Sequence, residues 1–110
     1  MGLFGARKRR RGGGKPGTLR RATSDDLRHL ETWAAARRGV EAYVEPRTTV
    51  TETTVVLIAH DGEWTRRRIG SLEAAAQFGR KHSIPVYEVA KIGYPRRMRE
   101  YTERQKRARD

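Results

Sequence analysis

The sequence predicts an α+β fold: a small antiparallel sheet of three to four strands with helices packed on it, in the order α-β-β-β-α-β-α. Three observations predict it. A helical apolar spacing opens the folded part, with acids before it and Arg37, Arg38 and Gly39 after it. Residues 40–69 are rich in β-branched side chains and are broken by Asp61-Gly62. The helical pattern then returns in "SLEAAAQFGRKH" before one more β-type segment and a basic tail. Such a succession, without internal repeats, makes a layered α+β domain.

The first helix is expected in "TSDDLRHLETWAAARRG". Ser24 is placed to cap it, Asp25 and Asp26 suit its positive end, Arg37 and Arg38 its negative end, and Gly39 stops it. Leu27, Leu30 and Ala34 recur at helical spacing beside Trp33 and form a stripe for packing. "VEAYVEP" alternates Val40, Ala42 and Val44 with Glu41, Tyr43 and Glu45, the period of a half-buried strand ended by Pro46. "TTVTETTVVLIAH" reads as a longer strand through about His60. Asp61-Gly62 is the strongest short-range hairpin signal in the chain, and "EWTRRRI" is the returning strand. A two-residue turn makes His60 and Glu63 a cross-strand pair and sets Ala59, Leu57 and Val55 opposite Trp64, Arg66 and Arg68.

In "GSLEAAAQFGRKHS" Ser71 caps a second helix, with Glu73 in its first turn and Arg80, Lys81 and His82 in its last. Leu72, Ala75, Ala76 and Gly79 share one small-residue face, and Phe78 adds an anchor. "IPVYEVAKI" is a further strand with Pro85 near its start. From Tyr94-Pro95 onward a helix is expected, with Met98 and Tyr101 as its apolar contacts and a fraying basic end.

The charge is divided unevenly. Residues 1–21 carry eight basic side chains and no acid, residues 91–110 eight basic and three acidic, and residues 22–90 nine basic and ten acidic. Nearly all of the formal +12 therefore sits on the flanks. Three units follow: a flexible basic arm over 1–20, an α+β domain over 21–93, and a basic C-terminal helix and tail over 94–110. Cationic flanks attract polyanions by counterion release, so nucleic acid is the expected partner, with RNA or the ribosome ahead of DNA. Leu3 and Phe4 offer little apolar area for insertion, which disfavours a membrane. No cysteine is present, which excludes disulfides, thiolate nucleophiles and thiolate metal sites. The basic start has no apolar run behind it, and Ala6 stands where a myristoylation motif asks for Ser or Thr, so a cytoplasmic location is expected.

"HDGEW" brings His60, Asp61 and Glu63 within four positions, but the hairpin accounts for them more completely than catalysis does. A nuclease-like metal site needs several carboxylates converging on one ion, and Glu45, Asp61 and Glu63 stand at different strand ends. No dinucleotide fingerprint, phosphate loop or nucleophile elbow is present, and His29, His60 and His82 lack ligand spacing. No catalytic residue, metal site or cofactor is assigned. The candidate nucleic-acid contacts are Arg9, Arg10 and Arg11 in the arm, Trp64, Arg66 and Arg68 on one face of the returning strand, and Arg96 and Arg97 at the head of the last helix. A solvated, aggregation-resistant edge is the competing reading of that strand. Around the last helix, Glu100 and Glu103 are spaced to pair with Arg104 and Arg107.

"TTVVLIAHDGEWTRRRIGS" and "GYPRRMREY" resemble segments of a group of short, basic, largely uncharacterised proteins of high-GC Gram-positive bacteria, some labelled generically as oxidoreductases. The resemblance spans roughly residues 40–102 and carries over no functional residue. It implies a small oxidoreductase as the alternative to nucleic-acid binding; a protein-interaction adaptor is the other. The first five elements are also similar in order to the double-stranded RNA-binding domain. The second helix, however, begins Ser71-Leu72-Glu73-Ala74 rather than with a lysine-rich clamp, so this likeness is one of topology.

Overall fold

The computed structural model describes residues 21–109, so the arm with Arg9, Arg10 and Arg11 lies outside the described residues. The elements run α1 (Ser24–Ala35), β1 (Glu41–Glu45), β2 (Thr53–Ile58), β3 (Trp64–Gly70), α2 (Leu72–His82), β4 (Val86–Glu88), α3 (Val89–Ile92) and α4 (Arg96–Arg109). This is the expected α+β order with one short helix added. The strands form a single sheet in the order β3-β2-β1-β4. The first three are antiparallel neighbours, but β4 lies parallel to β1, so the sheet is mixed rather than wholly antiparallel. The crossover through α2 carries the chain from one edge of the sheet to the other and dictates that direction.

Helix α1 begins one residue earlier than Ser24 alone would set it. Thr23 is the cap: its hydroxyl accepts from the Asp26 amide, while the Asp26 carboxylate accepts from the Thr23 amide. This reciprocal capping box satisfies two end donors that a lone Ser24 hydroxyl would not. Ser71 caps α2 as expected, accepting from the Ala74 amide at 3.0 Å. The apolar stripes are narrower than their spacing suggests. Leu30, Trp33, Ala75 and Phe78 are buried, whereas Leu27 and Leu72 are exposed.

Both α1 and α2 cover one face of the sheet, where Ala42, Val44, Val55, Leu57 and Ala59 meet Leu30, Trp33, Ala75 and Phe78. The opposite face is not left to solvent. Tyr43, Val56 and Ile58 are buried there beneath Trp64, Val89 and Met98. The alternation in "VEAYVEP" therefore marks two covered faces, and β2 is apolar without interruption from Val55 to Ile58 because that stretch is buried on both. Each such side chain contributes roughly 1.5–3 kcal/mol of transfer free energy. The segment "IPVYEVAKI" is a strand only over Val86–Glu88; from Val89 it turns into α3, which brings Val89 onto this second face.

The hairpin differs from the two-residue turn in a way that matters for everything built on it. The Ala59 amide donates to the Glu63 carbonyl at 2.8 Å, and the Gly62 amide donates to the Ala59 carbonyl at 2.9 Å. The loop is thus His60-Asp61-Gly62, a type I turn followed by a glycine at φ +97°. Glu63 is paired with Ala59 rather than His60, and Trp64, Arg66 and Arg68 stand opposite Ile58, Val56 and Thr54. A slip of one residue exchanges the two faces of a strand. It moves Trp64 and Arg66 from the side covered by α1 and α2 to the side covered by α4.

The loop is also held from both flanks. A Cβ on Gly39 would lie 2.8 Å from the His60 Cβ, and one on Gly62 would collide with the Arg97 carbonyl and lie 2.8 Å from the Tyr101 Cβ. Gly62 is therefore needed twice, for its positive φ and for the close approach of α4. Asp61, by contrast, uses a carboxylate oxygen to accept from the Glu63 amide, which an asparagine oxygen can also do. Asp61→Asn should change unfolding free energy by no more than about 0.5 kcal/mol. Gly62→Val should cost at least about 2 kcal/mol through strain and displaced packing. Urea unfolding followed by circular dichroism measures both; equal, small effects would show that α4 does not depend on this contact.

Candidate nucleic-acid interface

The second face of the sheet assembles its polar groups around the glutamates of β1. Glu41 accepts from Arg97 at 2.6 Å and from the Tyr43 hydroxyl at 3.0 Å. Glu45 receives both Nε and Nη2 of Arg66, at 2.8 and 3.0 Å, the Thr54 hydroxyl at 2.6 Å, and the Tyr94 hydroxyl. Burial opposes ionisation of Glu45, but the hydrogen bonds from Arg66, Thr54 and Tyr94 outweigh it and hold its carboxyl below the ordinary 4.5.

The arginines that the sequence nominates fall into different situations. Arg97 donates from Nε to the Ala59 carbonyl at 3.0 Å in addition to its bond with Glu41, so it ties α4 to the end of β2. Arg66 is committed to Glu45, with its guanidinium 5.3 Å from the centre of the Trp64 ring. Trp64 is half-buried against the cluster of Tyr43, Val56 and Ile58 and donates its indole N–H to the Thr102 hydroxyl at 3.2 Å. It is a seam between the sheet and α4 rather than an open platform for a base.

Arg68, expected to share a face with Trp64 and Arg66, instead reaches Asp26 of α1 at 3.5 Å, beside Arg67 at 3.7 Å. The cause is an irregularity in the ladder: Thr54 pairs with Arg68 but Thr53 with Gly70, leaving Ile69 as the extra residue. A bulge of this kind twists an edge strand and re-aims its side chains. Nearby, His29 meets the Thr65 hydroxyl at 2.7 Å, and burial, followed by Arg67 and Arg37, lowers its pKa from 6.5. Arg37 closes the other end of the hairpin with a bidentate pair to Glu63 at 2.7 and 3.0 Å and stacks on Trp33 at 4.2 Å.

The outer face of α4 is different. Arg96, Arg99, Lys106 and Arg107 are exposed and form no ion pair among the described residues. The helical spacing predicts Glu100–Arg104 and Glu103–Arg107 pairs, but neither forms; Arg104 turns inward and donates to the Asp61 carbonyl at 2.9 Å. Of the nominated residues that are described, Arg96 alone belongs to this open cationic face, and its companions Arg99, Lys106 and Arg107 follow it in the sequence at i+3, i+10 and i+11, positions that return to one side of a helix.

Among the described residues no group of three or more His, Cys, Asp or Glu side chains is placed to hold a metal ion, and no helix is long and apolar enough to cross a membrane. No protein-family model, curated protein or solved structure matches the chain. What it does must therefore be read from the placement of its own side chains.

The Glu45 cluster makes a pH-dependent prediction. A carboxyl with a depressed folded pKa adds stability above its unfolded value, and that contribution is lost as the pH falls through the folded value. Glu45→Gln should be less stable than the parent at neutral pH, and the gap should close progressively below about pH 4.5. Urea unfolding of both proteins across that range measures the gap, and one that stays constant with pH would remove ionised Glu45 from the account.

Proposed function

We propose that this protein is a non-enzymatic nucleic-acid-associated protein that holds RNA, or an RNA-rich particle such as the ribosome, ahead of DNA. The observation that supports the reading is the division of its cations into two classes. Arg37, Arg66 and Arg97 are bound to Glu63, Glu45 and Glu41 within the fold. Arg96, Arg99, Lys106 and Arg107 are turned outward on one helix, and the sequence adds eight further basic residues over 1–21. A cation already hydrogen-bonded to a carboxylate releases few counterions on meeting a phosphate, whereas an uncompensated one contributes fully. Arginine predominates, twenty of the 25 basic residues, and its planar fork suits both phosphate and exposed bases. The binding elements are thus the arm and the outer face of α4, with the sheet as the scaffold that presents them.

Binding to a single-stranded RNA, followed by fluorescence anisotropy over a series of salt concentrations, tests this reading. Each phosphate neutralised on a single strand steepens the plot of log affinity against log salt by about 0.7. The triple variant Arg99→Gln, Lys106→Gln, Arg107→Gln should flatten the slope by about 2. Deleting residues 1–21 should flatten it further, and Arg37→Gln, which removes a paired cation, should leave it unchanged while reducing stability. No salt-sensitive affinity in the full chain would sink the proposal.

A further inference from the structure

One cationic group on the fold is not spent in the same way as the others. At the bulge of β3, Asp26, Thr51, Thr54, Arg66, Arg67 and Arg68 line an open depression of about 280 Å³. Arg66 is neutralised there by its bidentate pair with Glu45, and the Thr54 hydroxyl is committed to the same carboxylate. Arg67 and Arg68 share one acid, Asp26, whose side chain is almost fully buried. One oxygen of that acid is occupied elsewhere: Oδ2 already accepts from the Thr23 amide at 2.9 Å and the Thr23 hydroxyl at 3.2 Å. The two guanidinium groups approach it only to 3.7 and 3.5 Å, beyond ordinary hydrogen-bond distance. Neither guanidinium finds a hydrogen-bond acceptor among the described residues, and both remain partly exposed, at 42% and 33% of their side-chain surface.

Two forked donors therefore face one depression, Thr51 is among the residues that line it, and one positive charge is left after Asp26 is counted. We infer that this depression is an oxyanion seat that takes one phosphodiester group, held by Arg67 and Arg68 with Thr51 as an additional donor. The charge balance selects the ligand. A diester carries a single negative charge and brings the cluster to neutrality, whereas a dianionic phosphate would leave an excess negative charge beside buried Asp26. Arginine forks match the paired oxygens of such a group. As a site for a strand's backbone the inference rests on the nucleic-acid reading above, and it adds to the arm and α4 a shaped contact that fixes where a strand would lie. It also assigns a role to Arg67 rather than to Arg66 and Trp64.

The test uses the full chain labelled with ¹⁵N, titrated separately with dimethyl phosphate, inorganic phosphate at mildly alkaline pH where the dianion predominates, and a short single-stranded oligouridylate. Dimethyl phosphate should shift the amide signals of Thr51, Thr54, Arg67 and Arg68 saturably, more strongly than inorganic phosphate, and the oligouridylate should shift the same signals. Arg67→Gln and Arg68→Gln should each weaken dimethyl phosphate binding roughly ten-fold, the loss of one charge-assisted hydrogen bond. Asp26→Asn should act in the opposite direction and tighten it, because the amide keeps an oxygen for the Thr23 cap while the competing charge is gone. The spectra themselves report whether each variant is folded. Oligouridylate binding that leaves the four signals unmoved would overturn the seat and leave the proposed function standing. A saturable dimethyl phosphate site in a protein that ignores oligouridylate would keep the seat, as one for a smaller diester, and overturn the nucleic-acid reading. Preference for the dianion, or weakening by Asp26→Asn in a folded protein, would overturn the charge argument.

Discussion

The architecture depends on a three-residue hairpin loop gripped from two sides. His60-Asp61-Gly62 lies between the loop that leaves α1 and the start of α4, and both neighbours approach so closely that a Cβ on Gly39 or Gly62 would collide with them. Backbone groups in and beside the loop are used as docking points. The His60 amide donates to the Arg38 carbonyl at 3.1 Å, while Arg97 and Arg104 reach the carbonyls of Ala59 and Asp61. The turn that reverses the chain is thereby the point at which α1, the sheet and α4 are set relative to one another. An additional residue in this loop, relative to a two-residue turn, decides which face of β3 carries Trp64 and Arg66.

A consequence runs through the electrostatics. Helix α4 has little apolar surface to offer, chiefly Met98, and it docks on a sheet face that carries Glu41 and Glu45. Those glutamates are compensated by Arg97 and Arg66, so the polar interface is closed by charge-assisted hydrogen bonds rather than by apolar area. Half-burial of these pairs means that breaking one leaves an uncompensated charge, which costs more than the intact pair gains. The arginine-rich strand consequently serves the fold at Arg66, while the bulge releases Arg67 and Arg68 toward Asp26. With Arg66 and Arg97 bound to carboxylates in this way, the cations left for an outside partner include those on the outer face of α4 and the pair Arg67 and Arg68.

Much of this was legible in the chain itself. The cap at Ser71, the β-branched run of β2, the helix-strand alternation and the position of the Asp-Gly turn each rest on forces acting over a few residues, and the structure has each of them, although β2 begins only at Thr53 and the turn is one residue longer. The same locality explains the misplacements. "TSDD" contains the capping box, yet choosing Thr23 over Ser24 depends on which hydroxyl and carboxylate meet. The length of the hairpin loop depends on what packs against Gly62, a contact 35 residues away in sequence with Arg97. "EVAKI" has strand-like composition but becomes helical where the core under Tyr43 and Val56 calls for Val89.

By itself the sequence determined the fold class, the order of the elements, and the gathering of positive charge at the two ends, because propensity, apolar period and charge count are properties of short windows. Only the tertiary structure decided the parallel pairing of β4, the register of β3, and which arginines are free. Those outcomes are set by contacts between residues far apart in the chain: Glu45 with Arg66, Glu41 with Arg97, Asp26 with Arg67 and Arg68. A guanidinium has the same charge in every window of sequence; whether it can bind anything further depends on how near its acid lies, and on what else that acid already holds.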